Sequence, residues 1–157
     1  MSRHPDATAD LVFKVFNEIG IINGLTTTEL NRHIAPALNP SEFGVLNHFV
    51  RLGDGKTPSW LAKAFQMTRP SMTAIVAKLG TKGFVRVEAG EKDRRVKYVY
   101  ITDAGRGAWR KALQALGPRL EAVTDEFGKE RLAAILPLLS ELRAYLDEER
   151  NVRDGLA

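Results

Sequence analysis

Apolar residues recur at helical spacing along almost the whole chain, and the pattern breaks once. From Phe84 to Ile101 the period drops to two. Phe84-Val85-Arg86-Val87-Glu88 alternates, and Val96-Lys97-Tyr98-Val99-Tyr100-Ile101 forms a second strand-like run. Between them lies the polar stretch Ala89-Gly90-Glu91-Lys92-Asp93-Arg94-Arg95. This spacing predicts a β-hairpin with a long charged tip in an otherwise helical chain, so the fold class is mainly α with one small β element.

What precedes the hairpin gives it a context. Thr57-Pro58 opens a short helix with Leu61, Ala62 and Phe65 facing inward. Thr68 is the next cap, with Met67 and Met72 as a hydrophobic staple across it. Met72, Ile75, Val76 and Leu79 make the buried stripe of a helix over about 69–82, while Arg69, Ser71, Thr73, Ala74 and Lys78 lie largely on its other side. Two short helices joined by a tight turn form a helix-turn-helix. A hairpin directly after the second helix makes the unit a winged helix-turn-helix, spanning 38–102. Its first helix begins at Asn39-Pro40-Ser41-Glu42, a capping box with proline in the first turn, and runs to about Leu52 before Gly53-Asp54-Gly55 breaks the chain.

Helices flank this unit. Residues 8–34 carry Leu11, Val12, Val15, Phe16 and Ile19 on one face; Gly20, Gly24 and three consecutive threonines weaken the middle, so one imperfect helix or two short ones are expected. After Thr102-Asp103, the residues Trp109, Leu113, Leu116, Leu120, Val123 and Phe127 are spaced 4, 3, 4, 3, 4, a heptad-like seam that Pro118 should bend and Gly128 should end. A further helix over about 129–149 presents Leu132, Ile135, Leu139, Leu142 and Leu146, with a kink expected at Pro137 and fraying over the last eight residues. The chain thus reads as a single domain over 1–157, with 8–34 and 103–149 as dimerisation helices. Their apolar faces exceed what a lone winged module needs. Packing within one chain is one outlet; a homodimer, which would give matched half-sites on DNA, is the other and the favoured one.

Charge singles out the same region. Residues 56–100 hold ten Lys and Arg against three acids, +7, while the remainder nets −3, for a total of +4. A basic middle on a mildly acidic frame suits a polyanionic partner, although a solvated basic surface would look the same. The absence of cysteine excludes disulfides, thiolate zinc sites, iron–sulfur clusters and a cysteine nucleophile or peroxide sensor. Three histidines, at 4, 33 and 48, leave little for a metal site, and no cofactor is expected. No apolar stretch reaches the roughly 20 residues of a membrane span, and no apolar signal-peptide core follows Met1-Ser2-Arg3-His4-Pro5. The expectation is a cytoplasmic protein without a membrane partner.

The wing makes the chain recognisable. Asp93-Arg94-Arg95, then Val99, Ile101-Thr102 and Gly105, resembles the signature D-x-R-x-x-x-V-x-L-T-x-x-G of the multiple antibiotic resistance regulator (MarR) family of bacterial transcription factors. Leu38 to Leu46 resembles the start of that family's second helix, Leu61-Ala62 with Met67 to Thr73 its reading-helix entry, and Lys82-Gly83-Phe84-Val85 its exit into the wing. The likeness covers about residues 10–149. It implies a homodimeric, sequence-specific regulator of double-stranded DNA acting on pseudo-palindromic operators, most often as a repressor, released in many members by small aromatic or phenolic effectors. The peroxide-sensing branch is excluded, because it uses a cysteine, and the histidine and acid cluster of the zinc-sensing branch cannot be assembled from these residues. Gly80 departs from the pattern, costs roughly 1 kcal/mol against alanine, and is expected to end the reading helix early.

Roles can be assigned to residues. Arg69 and Ser71, in the first turn of the reading helix, suit phosphate, and Arg69 also suits guanine edges; a capping hydroxyl is the other reading of Ser71. Pro70 fixes the helix start. Thr73 and Ala74 face the groove, Thr73 toward a base edge or a phosphate, and Lys78 meets phosphate. By resemblance, Asp93 orients Arg95 for insertion into a minor groove, leaving Arg94 to backbone or solvent, while Lys92 adds phosphate attraction. An exposed charged turn of little energetic worth is the alternative. Phe16, Asn17, Arg32, His33, His48, Phe49, Arg51 and Trp109 are candidates to line an effector cleft; ordinary surface or core roles are the alternative for the histidines. No phosphate-binding glycine loop, serine elbow or catalytic spacing occurs, so an enzyme is not expected. The competing function is a winged-helix protein-interaction module, which would lack a steep salt dependence on random duplex DNA.

Overall fold

The computed structural model describes residues 7–153. In chain order the elements are α1 (Ala7–Ile34), α2 (Pro40–Leu52), α3 (Pro58–Ala64), α4 (Arg69–Thr81), β1 (Val85–Ala89), β2 (Lys97–Ile101), α5 (Asp103–Phe127) and α6 (Lys129–Arg153). The fold is mainly helical with a two-stranded wing. The chain forms two compact units that divide within α5, after Ala115.

Local signals set the helix starts of the first unit. Asn39 Oδ1 accepts the Glu42 N–H while Glu42 Oε2 accepts the Asn39 N–H, each at 2.9 Å, so the capping box is complete. Thr57 accepts from Trp60, and Thr68 from Ser71, each followed by proline in the first turn. The three helices then bury one face each. Val45, Leu46 and Phe49 of α2, Leu61 of α3, Met72 and Leu79 of α4, and Val99 of β2 are fully enclosed. Ile34, Leu38, Ala62, Val76, Val85, Ile101 and Ala112 complete the core.

The hairpin is antiparallel, pairing Val85 with Ile101 through Ala89 with Lys97. Val85 is enclosed, whereas Val87, two residues further along β1, is exposed. Gly53-Asp54-Gly55 is more than a break. Gly55 N–H donates to Val99 O, Val99 N–H donates to Lys56 O, and Asp54 Oδ2 accepts the Ile101 N–H at 3.0 Å, so this loop covers the free edge of β2.

Of the two forms expected for the first helix the structure has the single one, with α1 continuous through Gly20 and Gly24. Several expectations need adjusting. α4 does not end early at Gly80: it runs to Thr81, and the reversal is made by Lys82 and by Gly83 at φ 72. α5 and α6 each continue through their internal proline, and Gly128, at φ 97, separates them. α6 extends to Arg153, beyond the expected end at 149; the rest of the expected fray, 154–157, lies outside the described residues. Among those residues no helix is long and apolar enough to cross a membrane.

Apolar side chains stand exposed on the flanking helices. Leu11, Phe13, Phe16 and Leu25 do so on α1, and Leu136, Leu138 and Leu139 on α6.

Candidate nucleic-acid interface

The outer face of α4 is as expected from its periodicity: Arg69, Pro70, Ser71, Thr73, Ala74 and Lys78 are all exposed. The cap is Thr68, not Ser71. Ser71 donates its backbone N–H to Thr68 Oγ1 and shares a hydroxyl–hydroxyl bond of 2.8 Å with it. Thr73 donates its hydroxyl back to Arg69 O at 2.9 Å within its own helix. The exposed Arg69 and Lys78 side chains give this face a charge suited to an anion.

At the wing tip, Gly90 N–H donates to Val96 O and Val96 N–H donates to Asp93 O, closing a tight loop. A Cβ on Gly90 would sit 2.9 Å from Asp93 O, so the close approach requires glycine. Asp93 then gathers three hydrogen bonds from Arg95: the backbone N–H at 2.9 Å, Nε at 3.1 Å and one terminal nitrogen at 3.1 Å. These bonds, the side-chain ones first, hold the Asp93 carboxyl below its usual range, so it stays ionised. Arg95 remains 92% exposed despite the pairing. Lys92 and Arg94 are exposed with no such tether among the described contacts.

The residues suggested for an effector cleft fall in several surroundings. A cavity of about 610 Å³ in the first unit is lined by His33, Leu38, Phe84, Ala108 and Lys111, among others, and His33 is the one suggested residue in its wall. His48 belongs to an aromatic cluster instead, with ring centroids 5.4 Å from Trp60, 5.6 Å from Phe65 and 6.2 Å from Phe49. Its Nε2 is enclosed without a partner, and burial, then the Lys56 charge, push its pKa down. Phe49 is enclosed in the core, and Trp109 donates Nε1 to Asn47 Oδ1 at 3.2 Å. Arg32 pairs with Glu29 on its own helix, and Phe16, Asn17 and Arg51 are exposed. On α2, His48 and Phe49 are neighbours in sequence and so point about 100° apart, one toward the Trp60 and Phe65 rings and one into the core.

Sequence reasoning missed the pair of the buried Glu42 carboxylate with the exposed Lys82, 2.7 Å apart and separated by 40 residues. It also missed the cavity cation Lys111. Among the described residues, no group of three His, Cys, Asp or Glu could hold a metal ion.

Comparison with known proteins agrees with the geometry. Residues 38–96, from the start of α2 to the wing tip, match the model of the MarR family. The transcriptional activatory protein BadR of Rhodopseudomonas palustris is 26% identical over 156 residues, covering 97% of this chain and 87% of BadR. The crystal structure of the transcriptional regulator BldR from Sulfolobus solfataricus superposes with a TM-score of 0.69 at 28% identity, over 90% of this chain and 99% of that one. A cysteine-to-serine mutant of MarR from E. coli, in complex with operator DNA, has the same fold, with a TM-score of 0.69 and 22% identity over 87% of this chain and 98% of that one.

Proposed function

We propose that the chain is a MarR-family winged helix-turn-helix transcription factor, as the match over residues 38–96 supports, and that it is a homodimeric, ligand-responsive repressor acting in the cytoplasm on a pseudo-palindromic double-stranded operator. Each protomer lays the outer face of α4 in a major groove. Arg69, Pro70, Ser71, Thr73, Ala74 and Lys78 meet bases and phosphates there. Each wing brings Arg95 to a minor groove, with Lys92 and Arg94 on the backbone. The observation that carries this reading is the wing tip: a nearly fully exposed arginine held in a defined posture by Asp93.

The exposed apolar residues of α1 and α6 support the homodimer, since such faces are normally covered in water. The cavity beside His33 and Lys111 supports an effector with an apolar body and an anionic edge, such as an aromatic or phenolic acid. One observation favours a second reading of the regulatory sign: BadR is described as activatory. Operator position relative to the promoter decides between repression and activation. The organisation into a winged region over 38–102 with flanking dimerisation helices is part of the same proposal.

Footprinting on a duplex selected by the protein from a random library tests the reading. Two protected half-sites should lie roughly 34–36 Å apart or a multiple of that. Arg95→Ala should lose about tenfold in affinity, the scale of one specific base contact, and Arg94→Ala distinctly less. Wild-type binding by Arg95→Ala refutes the wing assignment. A flat salt dependence on random duplex would favour the protein-interaction module instead.

A further inference from the structure

We propose that Lys82 is a positioning residue for the DNA-reading helix, acting through the buried carboxylate of Glu42 rather than by touching DNA. Lys82 stands at the carboxy-terminal cap of α4, where its N–H closes the last turn onto Lys78 O at 3.1 Å. Its ammonium does not lie on the outer face of that helix. It reaches across to the start of α2, donating to Glu42 Oε2 at 2.7 Å and to Ala37 O at 2.9 Å. Glu42 is 1% exposed, and the same oxygen, Oε2, accepts the Asn39 N–H of the capping box. One carboxylate oxygen therefore joins the first turn of α2 to the last turn of α4.

The other contacts of α4 do not do this. Its buried residues, Met72, Val76 and Leu79, are apolar. Apolar packing is non-directional and tolerates a small slide or rotation of a helix. A charge-assisted bond to a buried acceptor does not. Base reading needs side chains held within roughly 0.5 Å, so the directional tie at the cap is what fixes where Arg69, Thr73 and Lys78 point. Charge alone would place Lys82 with the phosphate-contacting lysines of the +7 segment. Geometry argues otherwise, because two protein acceptors already hold its ammonium.

The proposal rests on α4 being the reading helix, and the experiment separates the two claims. Glu42→Gln keeps the capping box, which accepts glutamine as well as glutamate, and removes the charge that Lys82 seeks. Lys82→Met leaves a buried carboxylate without its cation and can unfold the chain, so the double variant Glu42→Gln/Lys82→Met, in which no charge is left unpaired, accompanies it. Circular dichroism checks helix content. Binding is measured on the library-selected duplex and on random duplex across a salt series, with Arg69→Ala as the reference.

Glu42→Gln and the double variant should each lose about fivefold or more on the selected duplex, the lower bound of a typical coupling between sites. Both should stay close to wild type on random duplex, with an unchanged salt slope. The double variant should be no weaker than Glu42→Gln by more than about twofold, since both break one tie. Wild-type affinity of both variants, with Arg69→Ala weakened, overturns the positioning role and leaves α4 as the reader. A double-variant salt slope shallower by about one, with equal losses on both duplexes, makes Lys82 a phosphate contact and also overturns it. Wild-type binding by Arg69→Ala together with both variants removes the reading of α4 itself, and the proposal falls with it.

Discussion

Gly105→Ala should destabilise this chain, although alanine is the better helix former and the site is helical. Gly105 lies in the first turn of α5, directly after the wing, and is buried. A Cβ there would stand 2.1 Å from the carbonyl oxygen of Phe84 and 3.0 Å from Ile101 Cγ1, whereas real Cβ atoms essentially never come within 3.0 Å of a neighbour. The obstructing atom is backbone, already accepting the Thr102 N–H at 3.1 Å, while the Thr102 hydroxyl ties to Gly83 O at 2.7 Å. The first turn of α5 must therefore move by about 1 Å away from the strand entry. Overpacking of this kind costs about 1–3 kcal/mol, and straining the Thr102 bond adds about 1 kcal/mol. The gain in helix propensity offsets about 1 kcal/mol, leaving about 1–3 kcal/mol. At about 2–4 °C per kcal/mol for a chain of this size, Tm should fall by roughly 2–12 °C. Gly80→Ala in α4 is the internal control: nothing lies within 4 Å of its Cβ, so the propensity term acts alone and Tm should rise by about 2–4 °C. Both are read by thermal melts at equal protein concentration, because a dimer's Tm depends on it. A Gly105→Ala protein melting at or above wild type refutes the close-approach argument.

Substituting Leu136, 65% exposed on α6, or Phe13, 69% exposed on α1, by aspartate should cost little in a monomer but should drive a dimer toward single chains in sedimentation; unchanged two-chain mass for both variants counts against those helices as the dimer interface. Acidification tests the His48 cluster. Its folded-state pKa lies below the ordinary value of 6.5, so the unfolded chain takes up the proton first. Stability is therefore fully present above about pH 6.5 and falls as the pH drops through that value toward the depressed one. His48→Phe should flatten that part of the Tm–pH curve relative to wild type, and parallel curves would refute the assignment.

What the sequence reveals here follows the range of each signal. The hairpin, the three proline-led helix starts and the Asn39 box are written within a few residues, and the structure has them where the pattern puts them. Contacts between distant segments are not written that way. Nothing in Gly53-Asp54-Gly55 announces that the loop will pair with β2, and nothing in Glu42 beyond its capping position announces Lys82. The suggested effector residues meet the same limit: placing eight residues from four segments requires the rotation of each helix about its axis, which a list of residue types does not contain; His33 lines the cavity of the first unit while His48 sits in an aromatic cluster. Val87 alternates in sequence as Val85 does, and is exposed where Val85 is enclosed. The wing pair was legible because Asp93 and Arg95 are two residues apart on a tight loop, where spacing and geometry are nearly the same statement.

The sign of the effect of Asp93→Ala distinguishes a held arginine from a solvated one. Asp93 is an acid on a wing surrounded by Lys92, Arg94, Arg95 and Lys97. If the wing served only as a patch of positive charge, removing Asp93 would raise the local potential and strengthen DNA binding, most visibly at low salt. The geometry predicts the opposite. Asp93 takes the Arg95 backbone N–H, Nε and one terminal nitrogen, which fixes the guanidinium while leaving the rest of its donor fork for an acceptor on DNA. An exposed pair of this kind does little for stability, so its worth lies in posture: the arginine need not be ordered again when DNA arrives. Asp93→Ala should therefore weaken binding to the selected duplex severalfold, on the scale of a lost minor-groove contact, while binding to random duplex holds or improves and Tm stays near wild type. Asp93→Asn, which keeps an acceptor but not the charge, should fall between. Tighter binding of Asp93→Ala to both duplexes would show that the acid merely offsets its neighbours, and would end the case for Arg95 as an oriented reader.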